Sequence, residues 1–362
     1  ADGINMIADL YAARLENTEL AAQTYTLLKT KDGFKRAGDL YFNKGEYDKA
    51  INYGETQKEI SKIKDSNYAL LVNNLATTYS RIGDAKNSEL NYLEELELEK
   101  SFFGENHKIV AITYRNLGNV CSADKDYKKA ETYFFKAIEV FQKGNNTNKT
   151  DYTDCLLDLG VLLKEIKDYK TAEIIFNNAE QLLKLYHGEE SVYYLKGLLT
   201  IAIFYYDINN KSKSDEIISN ITNYYKTKDI NHFELKNKAD EVFFLFNVAE
   251  LFRRKNDLKN SEKFYKLIIE LSDIYIGKSE LIYSDILYYS SLYNNLNNEI
   301  KNIELFEKFS KNFNLHVSLK TNYFTSNELS LFKNDFYFRR FPIISFLQRY
   351  PTQYPEINIG CY

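Results

Sequence analysis

Residues Gly104–Lys143 read GENHKIVAITYRNLGNVCSADKDYKKAETYFFKAIEVFQK. Apolar positions recur every three or four residues on both sides of Ser122–Lys125, the spacing of two amphipathic helices joined by a tight turn. Gly118 and Ala130 are small enough to bring the two helices close, and Phe134 is large enough to fill the space beside them. The set returns 42 residues later, where Leu117-Gly118, Asp126-Tyr127, Ala130, Phe134 and Ala137 become Leu159-Gly160, Asp168-Tyr169, Ala172, Phe176 and Ala179. A repeat of this period predicts stacked supersecondary units, each burying its apolar face against the next. Replacing Gly118 or Gly160 by Leu is expected to force the paired helices apart.

Outward from this pair, the copies align on the small residue that follows the Leu position: Ala8, Gly38, Ala76, Gly118, Gly160, Ala202, Ala249 and Ser290. The spacings are 30, 38, 42, 42, 42, 47 and 41, and unequal loops account for the departures because closure entropy rises slowly with length. The copy around Ile7-Ala8 is weak, and the one around Ile201-Ala202, with Ser214 and Ile218, is degenerate. Lys226–Phe233 is expected to be a longer loop. All three prolines follow residue 341, so no proline interrupts a helix before Pro342. The expectation is an all-α fold, with seven to eight antiparallel helix pairs over residues 1–320 and a capping or connecting segment over 321–362.

The Leu-Gly, Asp-Tyr, Ala, Phe, Ala pattern resembles the tetratricopeptide repeat, in the longer form found in kinesin light chains and many bacterial sensor proteins. That resemblance implies a right-handed superhelical solenoid whose first helices line a groove, and a partner that is a protein or peptide. Phe103-Gly104, Tyr186-His187-Gly188 and Tyr275-Ile276-Gly277 suit the same class. There, Gly is expected to end the second helix in a left-handed turn, with His107 and His187 capping or packing rather than binding a metal. At the other end, LSLFKNDFYFRRFPIISFLQRYPTQYPEINIGCY resembles the connector of bacterial proteins that join such repeats to a CHAT domain, a caspase-like protease. This implies a sensor half whose protease lies in the same or a partner chain. A free-standing receptor or scaffold is the alternative.

Groove positions fall six and three residues before the small residue and one and four after it, on one helical face. The candidate partner-binding residues are Arg115, Asn119, Lys164, Lys196, Tyr206, Phe243, Phe246, Glu250 and Arg253. Phe243, Phe246 and Arg253 would form an aromatic and cationic patch suited to an extended peptide, unless the two rings pack against the neighbouring repeat. Phe246→Ala is expected to weaken partner binding. Lys35 and Asn74 match two positions of the clamp with which chaperone adaptors of this family hold a C-terminal carboxylate. Asp39, Ile112 and Asn116 depart from it, so a chaperone-tail receptor is not expected.

The composition excludes other classes. A net charge of −4 offers no general affinity for nucleic acid or acidic membrane. No run of about 18 apolar residues exists, so no membrane span is expected. Cys121, Cys155 and Cys361 are too scattered for a disulfide framework or a zinc site, and a reducing, cytoplasmic setting is expected. No nucleophile, phosphate-loop or metal motif is present, so neither cofactor nor enzymatic activity is expected. Glu94, Glu95, Glu97 and Glu99 are taken as a solvated helix face.

Overall fold

The computed structural model describes residues 2–13, 17–27, 29–43, 45–144, 149–227 and 238–257, isolated positions up to 268, and the short segments 315–316 and 360–361. The helices in chain order are α1 Asp2–Ala13, α2 Thr18–Thr26, α3 Lys31–Asn43, α4 Tyr47–Ile60, α5 Ser66–Arg81, α6 Ala85–Phe103 and α7 Lys108–Ala123. Then follow α8 Tyr127–Lys143, α9 Lys149–Glu165, α10 Tyr169–His187, α11 Val192–Asp207, α12 Lys211–Thr227 and α13 Lys238–Arg254. Consecutive helices pack as pairs from α1–α2 to α11–α12, and α2–α3, α4–α5, α6–α7 and α8–α9 join each pair to the next. The fold is an all-α array of antiparallel helix pairs. The chain divides into two units, Ala1–Gly188 and Glu189–Tyr362. Two further short segments, β1 Leu315–His316 and β2 Gly360–Cys361, pair antiparallel.

From α3–α4 onward the pairs close by the same turn, and the turn explains the register. Gly45, Gly83, Lys125, Lys167, Asn209 and Asn256 all take left-handed backbone, with φ between 59° and 77°. Each stands seven residues after its aligned small residue. The Lys125 N–H donates to the Ser122 carbonyl at 3.1 Å, and the Asp126 N–H reaches back to Cys121 at 2.9 Å. This double bond pattern satisfies the last carbonyls of the first helix. The next residue then starts the second helix: Asp84, Asp126 and Asp168 accept from the N–H groups of Asn87, Lys129 and Thr171, a side-chain cap. Asp-Tyr in the repeat is therefore a cap followed by the first helical residue. Gly104 (φ 85°) and Gly188 (φ 77°) end α6 and α10 with left-handed backbone as expected.

The core is the row of contacts between the small residue of one helix and the bulk of its partner. Ala8, Ala76, Ala202 and Ala249 are fully buried. A Cβ on Gly118 would stand 2.8 Å from the Phe134 ring, and one on Gly160 2.6 Å from Phe176. Twelve residues after the small residue some pairs carry Ser instead of Ala. There the hydroxyl donates across the pair, Ser88 to the Ala76 carbonyl at 2.8 Å and Ser261 to that of Ala249 at 3.0 Å. Ser214, in the degenerate copy, is buried and finds no hydrogen-bond partner among the described residues. Cys121 and Cys155 are buried. The copy around Ser290, most of the expected loop Lys226–Phe233, and the segment 321–362 apart from Gly360–Cys361 lie outside the described residues.

The contact distances separate the glycines. Gly160→Ala forces a methyl group against Phe176 and is expected to destabilise the chain by about 1–3 kcal/mol through overpacking. Gly38→Ala meets nothing nearer than 3.6 Å and is expected to gain up to about 1 kcal/mol of helix propensity. Urea unfolding of both variants checks this; equal shifts of the same sign would contradict the packing.

Candidate partner-binding groove

In the unit Ala1–Gly188 the first helices α7 and α9 of successive pairs meet on one face, and polar side chains join them. Arg115 on α7 donates through Nε to Asp158 Oδ2 on α9 at 2.6 Å, and its Nη1 lies 3.3 Å from Asp154. Asn119, one helical turn on, donates to the same Asp158 oxygen at 3.1 Å. Burial alone would push the Arg115 guanidinium down, but Asp158 and Asp154 more than reverse this and raise it. Arg115 and Asn119 are thus brought together on Asp158. Arg115 is not a free cation awaiting a ligand, because two carboxylates already hold it. Asp158 was absent from the sequence-derived set. Its signal was there: Asp154 and Asp158 stand four residues apart on the next repeat's first helix, the spacing at which two side chains share one face.

Nearer the start, Lys35 pairs with Asp39 at 3.3 Å along α3. Asn73 on α5 donates to Glu95 Oε2 on α6 at 3.0 Å, and the Thr77 hydroxyl bonds that of Tyr92 at 3.0 Å. Asn74, Ser80 and Asn119 are exposed. The face is polar, populated by hydrogen-bonding groups, and largely balanced in charge. Lys164 lies 3.4 Å from Glu165 with its side chain 12% exposed.

In the unit Glu189–Tyr362, Lys196 sits with its ammonium 5.9 Å from the Tyr193 ring centre. Tyr206 donates its hydroxyl to the Arg254 carbonyl at 2.7 Å, tying α11 to α13. Glu250 and Arg253 pair with each other at 2.7 Å along α13. Phe246 is only 3% exposed, so its ring packs inside the chain and offers almost no surface to a peptide. The helix is apolar on more than one side: Phe244, Leu245, Val248 and Leu251 are buried too. The side chain of Phe243 lies outside the described residues. The patch of Phe246 and Arg253 therefore consists of a core ring and a self-paired guanidinium.

The acidic run on α6 requires a correction. Glu97 is exposed, at 74% for its side chain, but Glu95 and Glu99 are 5% and 4% exposed. Helical spacing puts these two on one side of α6, against α5 and α7. Glu99 accepts from Thr113 Oγ1 at 2.6 Å, and Glu95, one helical turn earlier, accepts from Asn73 Nδ2 at 3.0 Å. Burial first, then the neighbouring Glu99, pushes Glu95 up to about 8. Glu94, next in sequence, faces the other way: burial raises it, but Lys64, Lys58 and Tyr68 outweigh burial and hold it at about 2. The signal for Glu95 was its place, nineteen residues after the small residue, where the better copies carry Ala137 and Ala179.

His107 and His187 behave as packing and capping groups. His107 Nδ1 accepts from the Ile109 N–H at 3.3 Å, and its ring stacks on Phe103 at 4.9 Å. His187 Nε2 lies 3.4 Å from the Thr150 hydroxyl. Among the described residues, no three His, Cys, Asp or Glu side chains come together to hold a metal ion, and no helix is long and apolar enough to cross a membrane. Burial pushes the Cys121 thiol up to about 12 and that of Cys155 higher still, the opposite of an activated nucleophile.

Comparison with known proteins agrees with the helix-pair pattern. Residues 66–143, spanning α5 to α8, match the Tetratricopeptide repeat family. No curated protein matches the chain. Among solved structures, BtubC (BKLC) from P. vanneervenii is 14% identical, with 65% of this chain and 91% of that one covered and a TM-score of 0.47. The apo form of RapI is 18% identical over 75% of this chain and 96% of its own, with a TM-score of 0.48. A Pyrococcus horikoshii STAND protein with a tetratricopeptide repeat sensor is 12% identical, covering 85% of this chain and 45% of its own, with a TM-score of 0.47. Tetratricopeptide repeats are protein-interaction modules.

The buried acid pair gives a pH dependence of defined sign. Between the ordinary value of 4.5 and about 8 for Glu95, the native chain binds more protons than the unfolded one. Its stabilising contribution is fully present below that window and is lost as pH rises through it, by up to about 1.4 kcal/mol per pH unit for one proton. Urea midpoints measured from about pH 5 to about pH 9 should fall with rising pH in the wild type and fall less in Glu95→Gln. Parallel profiles would refute the assignment.

Proposed function

We propose that the chain is a protein- or peptide-binding module, with the partner lying along the first-helix face. The observation that carries this is the row formed by α3, α5, α7 and α9. Exposed Asn74, Ser80 and Asn119 present amide and hydroxyl groups there, and Arg115 with Asp154 and Asp158 fixes adjacent repeats at one spacing. Polar groups held in place before binding lower the entropy cost of ordering an interface. An extended backbone, which carries its own donors and acceptors, matches such a surface better than a charged ligand does.

The finer reading is that the module regulates a CHAT-type, caspase-like protease in the same or a partner chain. What supports it is the likeness of residues 329–362 to the connector of such proteins, and reading the coding sequence beyond Tyr362 for a His and Cys pair on a βα pattern tests it. A free-standing receptor or scaffold would show no such pair there or in a neighbouring gene.

The groove itself is tested by mutation. Partners captured from the native host by the wild type should be lost to the double variant Ser80→Arg with Asn119→Arg, with Kd raised roughly tenfold or more, about 1.4 kcal/mol. Leu185→Arg, at a residue of α10 that is 74% exposed, serves as the control and should bind normally. Equal capture by all three would place the binding surface elsewhere.

A further inference from the structure

The α3–α4 pair breaks a rule that the four pairs from α5–α6 to α11–α12 keep. Sixteen residues after the small residue stand Tyr92, Phe134, Phe176 and Ile218, exposed by only 5%, 1%, 0% and 4%. Sixteen residues after Gly38 stands Gly54. Where the other pairs bury a large side chain, this one has none, and a cavity of ≈ 250 Å³ opens, bounded by Gly38, Ala50, Gly54, Gln57, Leu71 and Leu75. The glycines record the missing ring. A Cβ on Gly118 would lie 2.8 Å from Phe134, whereas one on Gly38 meets nothing nearer than 3.6 Å.

Neighbouring residues refill only part of the space. The ring of Tyr53, one residue earlier, stacks on Tyr41 at 5.6 Å with the planes 8° apart. Leu75 leans toward the gap, its Cδ2 2.7 Å from where a Gly54 Cβ would stand, yet the cavity persists. Its mouth carries Lys35, Asp39, Phe42 and Thr77, which are first-helix groove positions. An apolar cavity of about 150 Å³ in another protein is large enough to take up benzene. Lys35 and Asp39 pair with each other at the rim, so the entrance is close to neutral. That favours an uncharged ring over a charged side chain, which would lose its hydration without gaining a partner.

We infer that this cavity receives an aromatic side chain, phenylalanine or tyrosine, carried by an extended segment of the partner protein. The ring takes the place that Phe134 and Phe176 occupy in their own pairs, and the partner thereby completes the α3–α4 unit. The Gln57 amide on the cavity wall supplies a hydrogen-bonding group for a tyrosine hydroxyl. The inference rests on the groove reading for the segment that delivers the ring, and on the cavity alone for the ring itself.

The test uses the full chain and side-chain analogues: toluene for phenylalanine, p-cresol for tyrosine and n-butylammonium for lysine. Backbone amide shifts followed by NMR should saturate with toluene or p-cresol and concentrate at Gly38, Leu71, Thr77 and Thr78. They should vanish in Gly54→Phe, whose ring fills the space once Leu75, 2.7 Å from the new Cβ, shifts aside. No saturable shift with either aromatic, an equal response to n-butylammonium, or shifts unchanged in Gly54→Phe would each overturn the inference. Gly54→Ile, which copies the smaller knob of Ile218, is the second variant; if circular dichroism shows both variants unfolded, the space is not that of a missing knob and the inference fails. Should Ser80→Arg with Asn119→Arg spare partner capture while toluene still binds in a Gly54-dependent way, the groove reading falls and the aromatic site stands. The reverse result removes the aromatic site alone.

Discussion

One contact governs the pairs from α5–α6 to α11–α12: a small residue on the first helix lying against a large side chain sixteen residues later on the second. Gly118 against Phe134 and Gly160 against Phe176 leave no room for even a methyl group. Because packed interiors tolerate neither voids nor overlap, that contact sets both the distance between the helices and their rotation. The turn serves it. A left-handed residue seven positions on, followed by a capping side chain, delivers the second helix in the register that brings position sixteen back to the small residue. Gly, Lys and Asn all fill the left-handed position, so turn geometry is held constant while its chemistry varies. The strain of a non-glycine residue there is supported by the paired hydrogen bonds of the turn and by the cap that follows.

Polar groups follow the same geometry. In a stack of pairs, each first helix faces the first helix of the next repeat, so residues on that face can either bond their neighbours or wait for a partner. Arg115 and Asn119 do the first, through Asp154 and Asp158, while Asn74 and Ser80 remain exposed. Along α6 the consequence is sharper. Glu94 and Glu95 are adjacent in sequence, yet one is held at about 2 by two lysines and a tyrosine and the other is pushed to about 8 by burial and Glu99. A rotation of about 100° per residue around a helix separates a cation-lined surface from the interior.

Much of the architecture was legible in the chain itself. Although the capping role of the recurring Asp emerged only in the structure, the 42-residue displacement and the absence of proline before Pro342 foretold helix pairs and their tight turns. These features are local, and local propensity with periodicity decides them. Cys121, Cys155 and His107 also took the roles their surroundings implied. What periodicity could not tell was which of two apolar sides of a helix would be covered. Phe246 was therefore assigned to a groove, although its ring is buried in the chain.

The sequence by itself determined that this is a repeat of helix pairs and where each pair turns, because the pattern of small and large residues is written at fixed spacing. Only the tertiary structure decided which groups answer which. It paired Arg115 with aspartates 39 and 43 residues away, sealed Glu95 and Glu99 between three helices, and left open a space beside Gly38. Those outcomes depend on distances between segments far apart in the chain, set by how closely one pair can approach the next.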